Sequence, residues 1–241
     1  MEFIYPKCTI MTNLNDDILK KIESAGRTCY KSEEKITKES YTKFVNGLIR
    51  SGHESVIEHS SITVRFIMDR GISHELVRHR LCAFSQESTR YCTYDKHMKF
   101  IIPLWCENIK EGIYDTALEM KHKLNLQECE HEFVCHLEDT EESYQRLLKY
   151  DWLAEEARSV LPNCLKTEIV TTTNIREWRH ILSLRTSKGA HPQIKEIMFP
   201  LLEEFAKVLP VVFDTVYQIR KEDKFFKNKK FNTIIEYDKT I

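Results

Sequence analysis

The sequence predicts an α+β protein forming one domain, residues 1–241, on three observations. Residues 61–69, SITVRFIMD, put Ile62, Val64 and Phe66 on one face and Thr63, Arg65 and Ile67 on the other, the alternation of a half-buried strand. Residues 37–52, TKESYTKFVNGLIRSG, place Tyr41, Phe44, Val45, Leu48 and Ile49 at helical spacing between a capping Thr37 and a terminating Gly52. Strand-like and helix-like segments follow one another along the whole chain, without a repeat, a low-complexity stretch or a Pro/Gly/Ser-rich linker.

The other elements follow in order. FIYPKCTIM, at the start, reads as one short strand, and Asn15 is placed to cap a helix beginning at DDILKKIESAG. GISHELVRHR predicts a short helix that delivers arginines at its C-terminal end, and CAFSQESTRYCTY a donor-rich loop; KFIIP is a brief strand. From Glu107 to Tyr150 the chain is charged, with a thin apolar stripe (Leu118, Leu126, Leu147, Leu148), which predicts one or two exposed helices. DWLAEEARSVLP is a helix ending at Pro162, and CLKTEIVTTT is β-rich through Thr, Val and Ile. NIREWRHILSLRTS is a helix capped by Asn174, and a further helix starts near Pro192, at a first-turn position.

Composition excludes several classes. The chain is 41% hydrophobic and 30% charged with a formal net charge of −1, so nothing draws the whole molecule to nucleic acid or membrane and any basic site is local. No apolar run approaches the ~20 residues of a membrane span. Eight cysteines in a chain of this length, beginning without a signal peptide, point to a reducing cytoplasm.

The chemistry concentrates in residues 78–90, RHRLCAFSQESTR, where three arginines, a histidine, three hydroxyls and an amide crowd together with neither glycine nor lysine. Arginine offers a planar, permanently charged fork that suits phosphate, so Arg78, Arg80 and Arg90 beside Ser85, Ser88 and Thr89 suggest a phosphate site; a solvated basic turn paired with Glu75 and Glu87 is the alternative. Asn174 and Arg185, eleven residues apart on a helix, share a face with Ile181, an unusual mixture for either core or surface. No metal site is expected. The spacing of His53 and His59 fits no ligand pair, His79 lies between arginines, and the cysteines of CEHEFVCH point to different helix faces. KEDKFFKNKKF, near the C-terminus, reads as a solvated tail rather than a nucleic-acid patch. GxGxxG, P-loop and GxSxG motifs do not occur.

The string RHRLCAFSQESTRY resembles the signature of the flavin-dependent thymidylate synthases. GHESVIEHSSITVRF, EEARSVLP, TNIREWRHILSLR and the following AHPQI agree with that family in order and spacing, over roughly residues 50–210. The resemblance implies an antiparallel sheet flanked by helices and a homotetramer with shared active sites. It also implies conversion of dUMP to dTMP with methylenetetrahydrofolate as carbon donor, FADH2 as reductant and NADPH regenerating the flavin. By position it assigns His53, Ser55, Arg78, His79, Arg80, Gln86, Asn174, Ile175, Arg176 and His180 to FAD. It assigns Glu75, Leu76, Val77 and Arg78 from one subunit, Gln86, Glu87, Ser88, Thr89 and Arg90 from another, and Arg158 to dUMP. Arg185 matches the catalytic arginine and would also touch dUMP. The competing readings are a non-catalytic nucleotide or RNA binder using the arginine loop, and a cysteine-dependent nucleotide methylase, for which Cys82 is the nearest thiol.

Overall fold

The computed structural model describes residues 1–227 and 231–240. Strands are β1 (Glu2–Ile4), β2 (Lys7–Ile10), β3 (Ser61–Asp69), β4 (Cys82–Gln86), β5 (Lys99–Ile101), β6 (Gly112–Ile113), β7 (Lys166–Asn174) and β8 (Ile234–Tyr237). Helices are α1 (Asp17–Thr28), α2 (Ser40–Arg50), α3 (Arg70–Leu76), α4 (Ala117–Leu124), α5 (Glu128–Lys149), α6 (Ala154–Ala157), α7 (Ile175–Arg185), α8 (Pro192–Val208), α9 (Pro210–Lys221) and α10 (Lys224–Lys227). The strands form one sheet ordered β5-β1-β6 and another ordered β4-β7-β3-β2-β8. The α+β class therefore holds. The expectation of antiparallel pairing does not hold throughout, because β1 runs parallel to β5, with Phe3 opposite Phe100, and antiparallel to β6. Some ninety residues separate β1 from β5, ample for the crossover that a parallel pair needs.

Two compact units partition the chain. The first comprises Met1–Lys7, Phe66–Arg78 and Ser85–Ile169. Its core gathers Phe3, Met98, Phe100, Ile109, Met120, Val134, Leu137 and Tyr144. This corrects the picture of residues 107–150 as exposed helices. Leu118 of the predicted stripe is exposed, while Val134, Leu137 and Tyr144 of α5 are fully buried. The acidic side chains that made the segment look solvated include a buried cap: Glu130 accepts from Asn108 N and Nδ2 and from Gln127 N, closing the first turn of α5.

The second unit comprises Cys8–Arg65, His79–Phe84 and Val170–Ile241. In it α7, α8 and α9 pack together, and α1 and α2 pack on a 3-10 turn at Glu54–His59. Trp178 is fully buried; its indole donates to the Ile62 carbonyl at 2.9 Å and meets Phe205 edge to face at 5.7 Å. The expected solvated tail is partly core, for Phe226 is buried and stacks on Phe199 at 4.0 Å. Charge around these phenylalanines hid their packing role in the sequence; residues 228–230 of that stretch lie outside the described residues.

Local chemistry explains the other departures. FIYPKCTIM is two strands because Pro6 has no N–H for a ladder. Asn15 lies just before the N-cap Asp16 of α1, and its Oδ1 accepts from Asp17 N at 2.9 Å. Thr37 sits ahead of the N-cap of α2, which is Glu39. CAFSQ, expected as loop, is strand β4, with Cys82, Phe84 and Gln86 on its less exposed face. The 61–69 strand matches its prediction, with Ile62, Val64 and Phe66 fully buried.

Replacing Trp178 with Phe keeps an aromatic ring but deletes the donor to Ile62 and leaves a void. The expected loss of stability is about 1–3 kcal/mol, read as a lower midpoint with unchanged slope in urea unfolding.

Candidate active site

The junction of β7 and α7 builds the best-defined cluster. Asn174 ends β7 and caps α7, its Oδ1 accepting from Glu177 N at 2.9 Å, while Ile175 N donates to the Ser60 carbonyl at 2.9 Å. With that start fixed, the helical repeat places Arg176, Glu177, His180 and Arg185. His79 enters the cluster from the turn before β4. Its Nδ1 lies 3.2 Å from Glu177 Oε1, and its Nε2 accepts from Arg185 Nε at 3.0 Å. His79 is only 5% exposed. Burial first, and then the Arg185 guanidinium, hold this imidazole below its ordinary pKa, while the Glu177 carboxylate opposes them. The His180 ring stands edge-on to it at 5.7 Å.

Donor atoms of His79, Glu177 and His180 lie within 4.8 Å of one another, a spacing that could suggest a metal. However, both nitrogens of His79 are already engaged, one by a carboxylate and one by a guanidinium N–H. The cluster is a polar relay ending at Arg185.

Beside it a cavity of about 600 Å³ is lined by residues that include Asn174, Arg176, Arg179, His180, Glu54 and Glu58. Its size suits part of a large planar cofactor, and three of the residues assigned to FAD face it. Carboxylates hold its arginines: Glu58 Oε1 accepts from Arg176 Nη1 at 2.6 Å, and Glu54 lies 3.5 Å from Arg179, whose Nη1 also donates to the Val212 carbonyl. His53 lines a different cavity, of about 460 Å³, with Arg27, Lys43 and Phe44, and Ser55 is exposed on the 3-10 turn. Arg80 is exposed. The Ile175 side chain is core and its N–H is taken by Ser60, so Ile175 has little to offer a ligand.

In the first unit the residues assigned to dUMP form their own set. Asp69 caps α3 by accepting from Ile72 N at 3.0 Å, and the helix ends at Leu76, which is fully buried; Glu75 is half-buried, and Val77 and Arg78 follow on the exposed turn. The Gln86 amide donates to Ser73 Oγ at 2.8 Å and to Thr167 Oγ1 at 3.1 Å. Glu87 is held by Lys166 at 2.6 Å and Tyr94 at 2.9 Å, and its N–H donates to the Glu168 carbonyl. The side chains of Gln86 and Glu87 thus fix the loop. Thr89 is buried and accepts from Arg158 Nη1 at 3.5 Å; Arg90, exposed, donates to Glu155 at 3.1 Å; Ser88 Oγ accepts from Arg90 N. The surface of this set is cationic, through Arg78, Arg90 and Arg158.

Sequence reasoning missed Glu177, Lys166, Tyr94, Glu54 and Glu58. For Glu177 a signal existed: an acidic residue three positions after a capping Asn belongs in the first turn of a helix. Nothing in the sequence tied it to His79, 98 positions away.

Residues 11–211 match the family model described as thymidylate synthase complementing protein. A relative from Mycobacterium tuberculosis strain H37Rv, curated as flavin-dependent thymidylate synthase, is 31% identical over 221 residues, covering 88% of this chain and 85% of the relative. Another of that name, from Mycobacterium sp. strain JLS, is 32% identical over 202 residues, 80% of this chain and 77% of its own. A solved structure of the UMP/dUMP methylase PolB from Streptomyces cacaoi bound with 5-Br dUMP superposes with a TM-score of 0.69 at 26% identity, covering 91% of this chain and 97% of that one. Thymidylate synthase X from Helicobacter pylori, solved with FAD and dUMP, gives 0.67 at 20% identity, with 89% and 100% covered, a likeness of fold.

The buried, neutral His79 makes stability pH-dependent. Unfolded, the imidazole titrates near 6.5; folded, it titrates lower, so on acidification the unfolded chain takes up the proton first. The contribution is complete above about pH 6.5 and is lost as pH falls through the folded value. Thermal unfolding at constant ionic strength between pH 7.5 and 5 is expected to show a steeper fall in Tm for the native sequence than for His79→Asn.

Proposed function

The chain belongs to the flavin-dependent thymidylate synthase family, and we propose how its residues divide the work of converting dUMP to dTMP. Methylenetetrahydrofolate is the carbon donor, NADPH the source of reducing equivalents, and FAD, when bound, carries the hydride to the methylene. His53, Ser55, Arg78, His79, Arg80, Gln86, Asn174, Arg176 and His180 hold the flavin, with Ile175 as core beneath Asn174; the 600 Å³ cavity supports the assignment for Asn174, Arg176 and His180. Glu75 to Arg78, Gln86 to Arg90 and Arg158 hold dUMP, supported by three exposed arginines in a set whose backbone is fixed by Gln86 and Glu87. The active species is a homotetramer with shared sites. The family match runs from residue 11 to 211, through segments of both units, which supports reading 1–241 as one functional domain.

Arg185 is the catalytic residue. A guanidinium against the uracil ring stabilises the negative charge left when N3 loses its proton. The electron-rich ring then attacks the methylene carbon through C5; the carbon's bond to the folate nitrogen breaks with tetrahydrofolate as leaving group, C5 gives up its proton, and the hydride that reduced flavin would supply completes the methyl group. The observation that carries this reading is the arrangement at the end of α7, where Arg185 is held through Nε by a buried His79. The nearest thiol is poorly suited to replace it, because burial pushes the Cys82 pKa up and keeps it protonated.

Arg185→Ala is expected to lower dTMP formation ~10²–10³-fold with flavin content unchanged, and Arg185→Lys to recover little because a point charge lacks the planar fork. Cys82→Ala should retain most activity. Product analysis with dUMP and UMP in parallel checks the substrate, since the PolB likeness makes UMP the natural competitor. A folded, flavin-loaded Cys82→Ala protein that binds dUMP but makes no dTMP would replace this mechanism with a thiol nucleophile.

A further inference from the structure

Glu177 takes no part in the division of labour above, yet it stands at the far end of a path, through His79, by which α7 controls its own arginine. An Arg Nε–H can only donate, so a His79 Nε2 at 3.0 Å from it must be the accepting nitrogen. A neutral imidazole then carries its proton on Nδ1, which needs an acceptor in a site where water is scarce. Glu177 Oε1, 3.2 Å away, is that acceptor, and an ionised carboxylate can play no other part. Glu177 is itself fixed: it is 9% exposed, its N–H is capped by Asn174, and the first turn of a helix favours its charge.

We propose that Glu177 is a positioning residue, which locks His79 in the Nδ1–H tautomer so that Nε2 aims the Arg185 guanidinium. The inference rests on the assignment of Arg185 as the catalytic residue. All five N–H groups of a guanidinium share one plane, so fixing Nε–H fixes the plane offered to the substrate. Protonation of His79 would set two donors face to face and remove this hold on the Nε side of Arg185. The charged or titratable groups that bear on His79 are Glu177, which favours protonation, and Arg185 and His180, which oppose it.

The test uses the flavin-loaded protein with ¹⁵N-labelled histidine, the His79 resonances being assigned by their loss in His79→Asn. The native protein should show the Nδ1–H tautomer. Glu177→Met, similar in size but without a strong acceptor, should shift His79 towards the other tautomer and lower kcat ~10²-fold, with flavin content and KM for dUMP within about twofold. Glu177→Gln retains an acceptor but not the charge. It should keep the tautomer and activity within about tenfold, and the acid limb of its kcat profile should move to lower pH. That second variant decides the matter should Glu177→Met not fold. An unchanged tautomer in Glu177→Met, full activity despite a changed one, or an unmoved acid limb in Glu177→Gln would each overturn the role of Glu177. An active Arg185→Ala would instead overturn the assignment on which it rests, and the tautomer measurement, made without turnover, separates the two failures.

Discussion

The point where β7 becomes α7 governs the second unit's chemistry. Asn174 ends one element and caps the next, and Ile175 N is tied to Ser60 O, so the helix can start at one residue and in one direction only. A one-residue slip would turn every functional side chain of α7 by ~100°. The cap bond contributes about 1 kcal/mol; the fully buried Trp178, Ile181 and Leu182 supply the larger stabilisation that keeps the helix seated. The polar cluster is thus held in place by apolar side chains that take no part in its chemistry.

Carboxylates already occupy several of the arginines expected to meet phosphate. Glu58 holds Arg176 with both side chains roughly half exposed, and Glu155 holds Arg90 in the same way. Such exposed pairs are worth about 0–1 kcal/mol. An incoming phosphate, accepting two parallel N–H bonds from one fork, exchanges for them at little penalty. The carboxylates keep the arginines extended and solvated without closing the site. Glu87 differs, being held by Lys166 and Tyr94 with little exposure, and it acts as structure.

Much of this was legible in the sequence, and for identifiable reasons. Strand β3 declared itself by strict alternation, and α7 by Asn174 followed by a helical apolar face, because in both cases the local pattern and the tertiary environment agree. Family-specific motifs singled out the arginines and Arg185 for the site proposed above. What the sequence hid is non-local or masked by charge. The bond between His79 and Arg185 joins residues 106 positions apart. The core role of α5 was concealed because Val134, Leu137 and Tyr144 are scattered among acidic residues, one of which, Glu130, serves as a buried cap. Strand β4 read as loop because of its polar residues, of which Gln86 bonds inside the protein, its NH2 committed to Ser73 and Thr167.

That commitment of Gln86 has a mechanical meaning. Ser73 lies on α3, whose end carries Glu75 to Arg78, and Gln86 is the last residue of β4, from which Glu87 to Arg90 continue. Two hydrogen bonds from one amide join these stretches of the first unit to each other and to β7. Glu75 to Arg78 and Glu87 to Arg90 are therefore braced against each other through a single amide. Much of the conformational entropy that a nucleotide would have to remove from a free loop is already lost on folding, and the same bracing means that strain on one stretch is felt by the other.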